Sequence, residues 1–165
     1  MSYRIGSGVD FHRLAEGREL WIGGVLIPYH KGAWGHSDAD VLIHAICDAL
    51  FGALSLGDIG YHFPDSDAAY KNIDSKILLT KTIELINNKG YSVVNIDSTV
   101  CLQSPKINTY VSQMQKIIAG IIGVRETDVS IKATTTEQLG FIGREEGLMA
   151  YASALLIQSP QAVKK

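Results

Sequence analysis

An α/β sandwich with α+β character is the fold class this chain predicts: one domain, a mixed four-stranded sheet with helices on one face, and a small N-terminal hairpin. Three observations lead there. The 165 residues are enough for one packed core and too few for two comfortable ones. Hydrophobic residues make up 46% and charged residues 19%, a globular balance rather than a disordered one. Strand-like segments alternate along the chain with three helical ones, which puts helices and sheet in separate layers.

Tyr3–Phe11 reads as the first strand, loosened by Gly6 and Gly8. Glu19–Ile27 follows and is broken by Gly23-Gly24, which marks a bulge or a tight turn, with Pro28 closing it. Asp38–Leu56 is alanine-rich and helical, with Ser37 or Asp38 as N-cap and Gly57 as terminator. Gly57–Asn72 is a loop. Asp74–Lys89 is a second helix that offers Ile77, Leu78, Ile83, Leu85 and Ile86 for burial and stops at Gly90. Tyr91–Gln103 alternates most clearly, with Val94, Ile96, Ser98, Val100 and Leu102 on one face, before Pro105 breaks it. Asn108–Ile122 is a third helix ending at Gly123. Val129–Thr134 is a strand, Thr135–Leu139 a short helix start, and Leu148–Ile157 the last strand. Residues 1–158 form the single domain in this reading and 159–165 a frayed tail. The sheet face bearing Thr99 and Cys101 is mildly apolar and needs cover, which a partner subunit can supply.

The formal net charge of −2 argues against a general nucleic-acid binder. Cys47 and Cys101 lack a CxxC spacing, so free thiols in a reducing, cytoplasmic setting are expected. Met1–Ile5 has no signal-peptide character, and no segment is apolar and long enough to span a bilayer, so no membrane association is expected.

The chemistry-bearing residues cluster early. In a strand, Asp10 and His12 point to one face. One nitrogen from a nearby helix completes a two-histidine, one-carboxylate set, suited to a divalent metal such as zinc with an open position. His44 is a candidate. Asp40, His44 and Asp48 share a helix face, where an acid can orient the imidazole, although the same spacing fits a solvated polar stripe. His36-Ser37 before that helix fits an anion at a helix start or simple capping. Lys132–Glu137 supplies three threonines at a strand end. Thr134 and Glu137 fit a capping box, while the hydroxyls and backbone also suit a diphosphate and Glu137 an oxygen-seeking cation. Asp58 suits ribose hydroxyls or turn chemistry, and Lys106 an anion or plain solvent. No GxxxxGK[ST] occurs, which disfavours ATP hydrolysis of the P-loop type.

Taken in order, these pieces resemble the 2-C-methyl-D-erythritol 2,4-cyclodiphosphate synthase family of the non-mevalonate isoprenoid pathway. The resemblance runs from Arg4 to about Ile157. It is carried by Asp10-Phe11-His12, by Gly35–Asp40 with His44, by Gly57–Gly60 with Phe63-Pro64-Asp65, and by Lys132–Glu137 with Gly140-Phe141 and Gly143-Arg144. It implies a homotrimer with active sites between subunits, and one zinc per subunit on Asp10, His12 and His44. Glu137 would take a magnesium or manganese ion with the substrate diphosphate. His36 and Ser37 would contact the substrate near its β-phosphate, and His36 and Thr135 would stabilise the transition state. Asp58 and Gly60 would hold ribose. A loop from Phe63 through Asp65 to Asp67 would close over the methylerythritol part. Leu102, Pro105 and Lys106, with Ala133, Thr134 and Thr135, would surround cytosine and the α-phosphate.

The implied reaction is attack of the 2-phosphate of 4-diphosphocytidyl-2-C-methyl-D-erythritol 2-phosphate on its own β-phosphorus, with CMP leaving. The nucleophile is already an anion, so charge neutralisation and in-line positioning are the tasks. Phe141, Arg144 and Glu146 match an axial cavity that accepts isoprenoid diphosphates in the family. Two other classes compete: a metal-dependent phosphoester hydrolase, and a non-catalytic trimer that senses nucleotide or isoprenoid diphosphate.

Overall fold

A computed structural model describes residues 2–64 and 66–159. Its centre is a five-stranded mixed sheet in the order β4-β1-β7-β5-β6, rather than the four strands expected. The four long strands are β1 (Tyr3–Glu16), β5 (Tyr91–Cys101), β6 (Val129–Thr134) and β7 (Gly147–Gln158). The fifth is β4 (Lys31–Trp34), which pairs antiparallel with Arg13–Glu16 of β1. Its sequence, Lys-Gly-Ala-Trp, has no period-two signature. It is a strand because it lies along the edge of β1 opposite β7, where Arg13 pairs with Trp34 on one side and Gly147 on the other. Only β5 and β6 are parallel.

The expected hairpin is β2 (Leu20–Ile22) and β3 (Val25–Ile27), joined by Gly23 and Gly24. Both glycines have positive φ, 60° and 76°, as the tight two-residue hairpin turn requires.

The helices gather on one face: α1 (Val41–Ala53) on β1 and β7, α3 (Ser75–Asn88) on α1 and β5, α4 (Val111–Ile122) on α3 and β6. Two single turns also form: α2 (Ile59–His62), within the segment read as a loop, and α5 (Gly140–Gly143). The helix start expected over Thr135–Leu139 does not form, because Glu137 and Gln138 take positive φ and turn the chain instead. Of the residues offered for burial on α3, Leu78, Ile83 and Ile86 are buried, whereas Ile77 points outward. On β5 the anticipated inner face is correct for Ile96, Ser98, Val100 and Leu102; a bulge between Val93 and Asn95 leaves Val94 half-buried.

α1 lies so close to β1 that a Cβ on Gly8 would sit 2.2 Å from the Ala45 carbonyl oxygen, and one on Gly6 2.1 Å from that of Ala49. Glycine below alanine brings the two backbones into direct contact and sets the height of α1 above the strand. The opposite sheet face is open and apolar. Ile5 is 75% exposed, Tyr3 59% and Phe11 53%, and Val9 and Tyr151 lie beside them. Cys47 and Cys101 are free thiols, with Cys47 buried and its pKa pushed up to about 12 by that burial. Ser159 is tied to Gly90 and Ser92; residues 160–165, most of the expected tail, lie outside the described residues.

The N-cap of α1 is Asp40, not Ser37 or Asp38. Ala39, at φ 58°, reverses the chain so that the Asp40 carboxylate accepts from Leu42 N at 3.2 Å and Ile43 N at 3.0 Å. It also accepts from Gly23 N at 2.9 Å and Gly24 N at 2.6 Å, clamping the hairpin turn to the helix start. Asp40→Ala therefore removes a cap, worth about 1 kcal/mol, and strands two buried N–H groups at about 1 kcal/mol or more each. Urea unfolding should show a loss of about 3 kcal/mol, with Asp40→Asn recovering part of it through its remaining oxygen.

Candidate active site

Period-two alternation on β1 turns Asp10 and His12 toward the helical layer, and His44 on α1 faces them. Three ligand atoms converge. His12 Nε2 is 2.9 Å from Asp10 Oδ2, His44 Nδ1 is 3.1 Å from the same oxygen, and the two nitrogens are 3.1 Å apart. These separations are close to those between ligands around one tetrahedral zinc. Gly35 makes room for this arrangement: a Cβ there would lie 3.2 Å from His12 Cε1. His44 is 9% exposed, so the reading of its helix face as a solvated stripe is wrong. Burial opposes charge on both Asp10 and His44, yet the pairing wins. His12 and His44 hold the Asp10 carboxyl far below its ordinary range, and Asp10 raises His44.

The acids expected to orient His44 are engaged elsewhere. Asp40 caps α1, and Asp48 accepts from Ile59 N at 2.7 Å, fixing α2. The far nitrogen of His44, Nε2, meets Ser75 Oγ at 2.9 Å and Ser37 Oγ at 3.2 Å. Ser75 in turn donates its hydroxyl to Asp38. Ser75 escaped the sequence reading because Asp74-Ser75 looks like any helix start; no local pattern reports a contact with His44.

Asp10, His12, His36, Ser37, His44, Gly60 and Phe63 line one cavity of about 330 Å³. His36 Nε2 is buried there without a hydrogen-bond partner, a donor or acceptor aimed at something the protein does not supply. The first N–H groups of α1 are not free for an anion beside His36-Ser37, since Asp40 occupies them; the histidine itself is the polar feature. Phe63 is buried against Phe51 and Tyr70. Asp58 caps α2 through Tyr61 N at 2.9 Å, and Asp67 accepts from Ala69 N at 2.9 Å. Asp65 lies outside the described residues.

The remaining candidates sit at the same end of the sheet, across it. Asp10, Ala150, Val100 and Ala133 form one register row, so Ala133 stands three strands from Asp10, about 14 Å away. Leu102 N donates to Thr134 O at 3.0 Å, joining the Leu102–Lys106 segment, with Pro105, to the end of β6. The Thr134–Glu137 capping box is absent. Thr135 Oγ1 donates to Glu137 Oε1 at 2.9 Å, and Thr134 Oγ1 turns to Thr135 O. Lys132 pairs with Asp97, while Lys106 is exposed. The two groups of candidate residues therefore stand apart within one chain. Phe141 stacks obliquely on Phe11 with centroids 6.2 Å apart, and Arg144 makes a two-bond pair with Glu146 at 2.9 and 3.0 Å.

Among known proteins, the model of the YgbB family matches residues 3–157. The chain is 59% identical over 156 residues to the 2-C-methyl-D-erythritol 2,4-cyclodiphosphate synthase of Bacteroides fragilis, covering 94% of this chain and 98% of that one. To the protein of the same name from Porphyromonas gingivalis it is 60% identical over 155 residues, covering 94% and 96%. The Plasmodium falciparum IspF structure in complex with CDP superimposes with a TM-score of 0.84 at 34% identity, over 96% of this chain and 98% of that one. Bifunctional IspDF from Campylobacter jejuni superimposes with a TM-score of 0.90 at 42% identity, over 94% of this chain and 42% of the larger one.

Proposed function

Because this chain belongs to the YgbB family, we infer that it is a 2-C-methyl-D-erythritol 2,4-cyclodiphosphate synthase and that its two half-sites share the work of one reaction. It converts 4-diphosphocytidyl-2-C-methyl-D-erythritol 2-phosphate to the 2,4-cyclodiphosphate and releases CMP. The observation that carries the reading is the convergence of Asp10, His12 and His44 in the cavity that also holds the unpartnered His36 nitrogen.

The donor set of two imidazoles and one carboxylate fits zinc with a position left open. Zinc on Asp10, His12 and His44, and magnesium or manganese on Glu137, would supply charge neutralisation and a template for two phosphates that repel each other. Residues of the chain do the rest. His36 and Ser37 hold the β-phosphate beside the triad. Thr135 and His36 bear on the charge that grows at phosphorus during in-line displacement. Asp58 and Gly60 hold ribose, Phe63 to Asp67 bound the methylerythritol end, and the Leu102–Lys106 segment with Ala133–Thr135 receives cytosine and the α-phosphate. No activated serine or cysteine is needed, because the attacking phosphate is already anionic.

The half-sites meet if the metal-bearing half of one subunit faces the β5–β6 half of the next. The open apolar face of Tyr3, Ile5, Val9, Phe11 and Tyr151 supports this, since a homotrimer packed through it would cover that surface. Phe141, Arg144 and Glu146 would then border the axial cavity, with isoprenoid diphosphate as its ligand. Among the described residues no helix is long and apolar enough to cross a membrane. A cytoplasmic setting, where both thiols stay reduced, completes the reading.

Mass spectrometry of the products formed from the cytidyl substrate with zinc and magnesium tests it. Equal amounts of CMP and cyclic diphosphate are expected. Linear phosphates carrying solvent oxygen would mean a hydrolase instead, and absence of CMP a binding protein.

A further inference from the structure

We propose that Ser75 and Asp38 are positioning residues that fix the aim of His44 and accept its Nε2 hydrogen when Nδ1, which faces Asp10 and His12, binds a metal. The proposal rests on the metal reading above and deepens it. The Ser75 hydroxyl has a single proton and donates it to Asp38 Oδ1, while its backbone N–H donates to Asp38 Oδ2 at 2.9 Å. With its proton committed to a carboxylate, Ser75 Oγ can only accept from His44 Nε2, 2.9 Å away. Ser37 Oγ, 3.2 Å from the same nitrogen, accepts from Ala39 N at 3.1 Å and keeps a second lone pair. When Nδ1 binds a metal, the imidazole hydrogen on Nε2 therefore has its acceptor in place. An outer hydrogen bond of this kind fixes ring orientation and raises the basicity of the binding nitrogen.

The relay is rigid. Ser75 and His44 are buried, and the turn that carries Asp38 is laced to the start of α3 by Asp38 N to Ile73 O at 3.1 Å and Asn72 N to His36 O at 2.8 Å. The turn before α1 and the start of α3, distant in sequence, thus converge on one ring nitrogen. A purely structural role for Ser75 predicts lower stability and nothing more. The relay predicts a change at His44 itself.

Two variants separate these readings, with zinc affinity measured by competition against a chelator and the His44 Nε2–H hydrogen bond read from imidazole shifts in the zinc-loaded protein. Ser75→Ala removes the acceptor. Asp38→Asn keeps the shape but sets an amide donor against either the Ser75 N–H or its hydroxyl, so the grip breaks or the hydroxyl proton turns toward His44. Each variant should bind zinc about 10- to 100-fold more weakly and shift the His44 Nε2–H resonance of the zinc-loaded protein. His12→Ala serves as the control that removes a metal ligand outright. If both relay variants bind zinc as the parent does while His12→Ala does not, the relay is wrong and the metal site stands. If His12→Ala also binds as the parent does, the metal reading falls and the relay with it.

Discussion

His44→Ala should abolish cyclic product while leaving the fold intact. The substitution removes one of three converging ligand atoms and leaves only two, His12 Nε2 and Asp10 Oδ2, 2.9 Å apart. Loss of a direct ligand exceeds the tenfold to hundredfold typical of outer-shell changes, so a fall of more than about a hundredfold in turnover is expected. The fold survives because alanine is the best helix former and the ring leaves behind Ser37 and Ser75, which retain Ala39 N and Asp38 as partners. Product analysis, bound zinc per chain and the circular dichroism spectrum check it together. Full activity in the variant would remove His44 from the metal assignment.

The second large effect comes from one added methyl group. Gly8→Ala puts a Cβ 2.2 Å from the Ala45 carbonyl oxygen and 2.6 Å from Ala49 N. Both are backbone atoms in the middle of α1 and cannot swing aside, so the helix must lift from β1. Overpacking of this kind costs about 3 kcal/mol, and the lift separates His44 on the helix from Asp10 two residues along the strand. Thermal unfolding should show the destabilisation, and zinc titration should show weakened binding in the fraction still folded. Gly120→Ala is the matched contrast. It lies inside α4, where an added methyl group would meet nothing within 4 Å, and should gain about 0.5–1 kcal/mol. Equal melting temperatures for the two variants would contradict the close-contact account of β1 and α1.

The parts of this molecule that are legible in sequence are those in which neighbours along the chain determine the outcome. Alternation puts Asp10 and His12 on one face, and His44 lies on the helix above them. The Gly90 and Gly123 stops and the Gly23-Gly24 turn all fall where local stereochemistry places them. What escaped depends on distant contacts. β4 is a strand only because the far half of β1 lies beside it. Asp40 and Asp48 have helical spacing from His44 but are drawn off by backbone donors from Gly23, Gly24 and Ile59, leaving Asp38 to act through Ser75. Thr134 and Glu137 have capping-box spacing, yet the positive φ of Glu137 and Gln138 directs the chain into a turn. The order and identity of the motifs, rather than any one of them, point to the family.

The pairing of β1 with β7 has a consequence for the order in which the protein is made. All three candidate metal ligands lie within the first third of the chain, but the strand that carries two of them is paired from Tyr3 to Arg13 with the last strand of the sheet. A nascent chain holds the ligands long before it holds the partner that straightens their strand. Contacts this distant in sequence form late, so the site closes only when synthesis has reached β7, and a ribosome stalled before Gly147 carries the ligands without the centre.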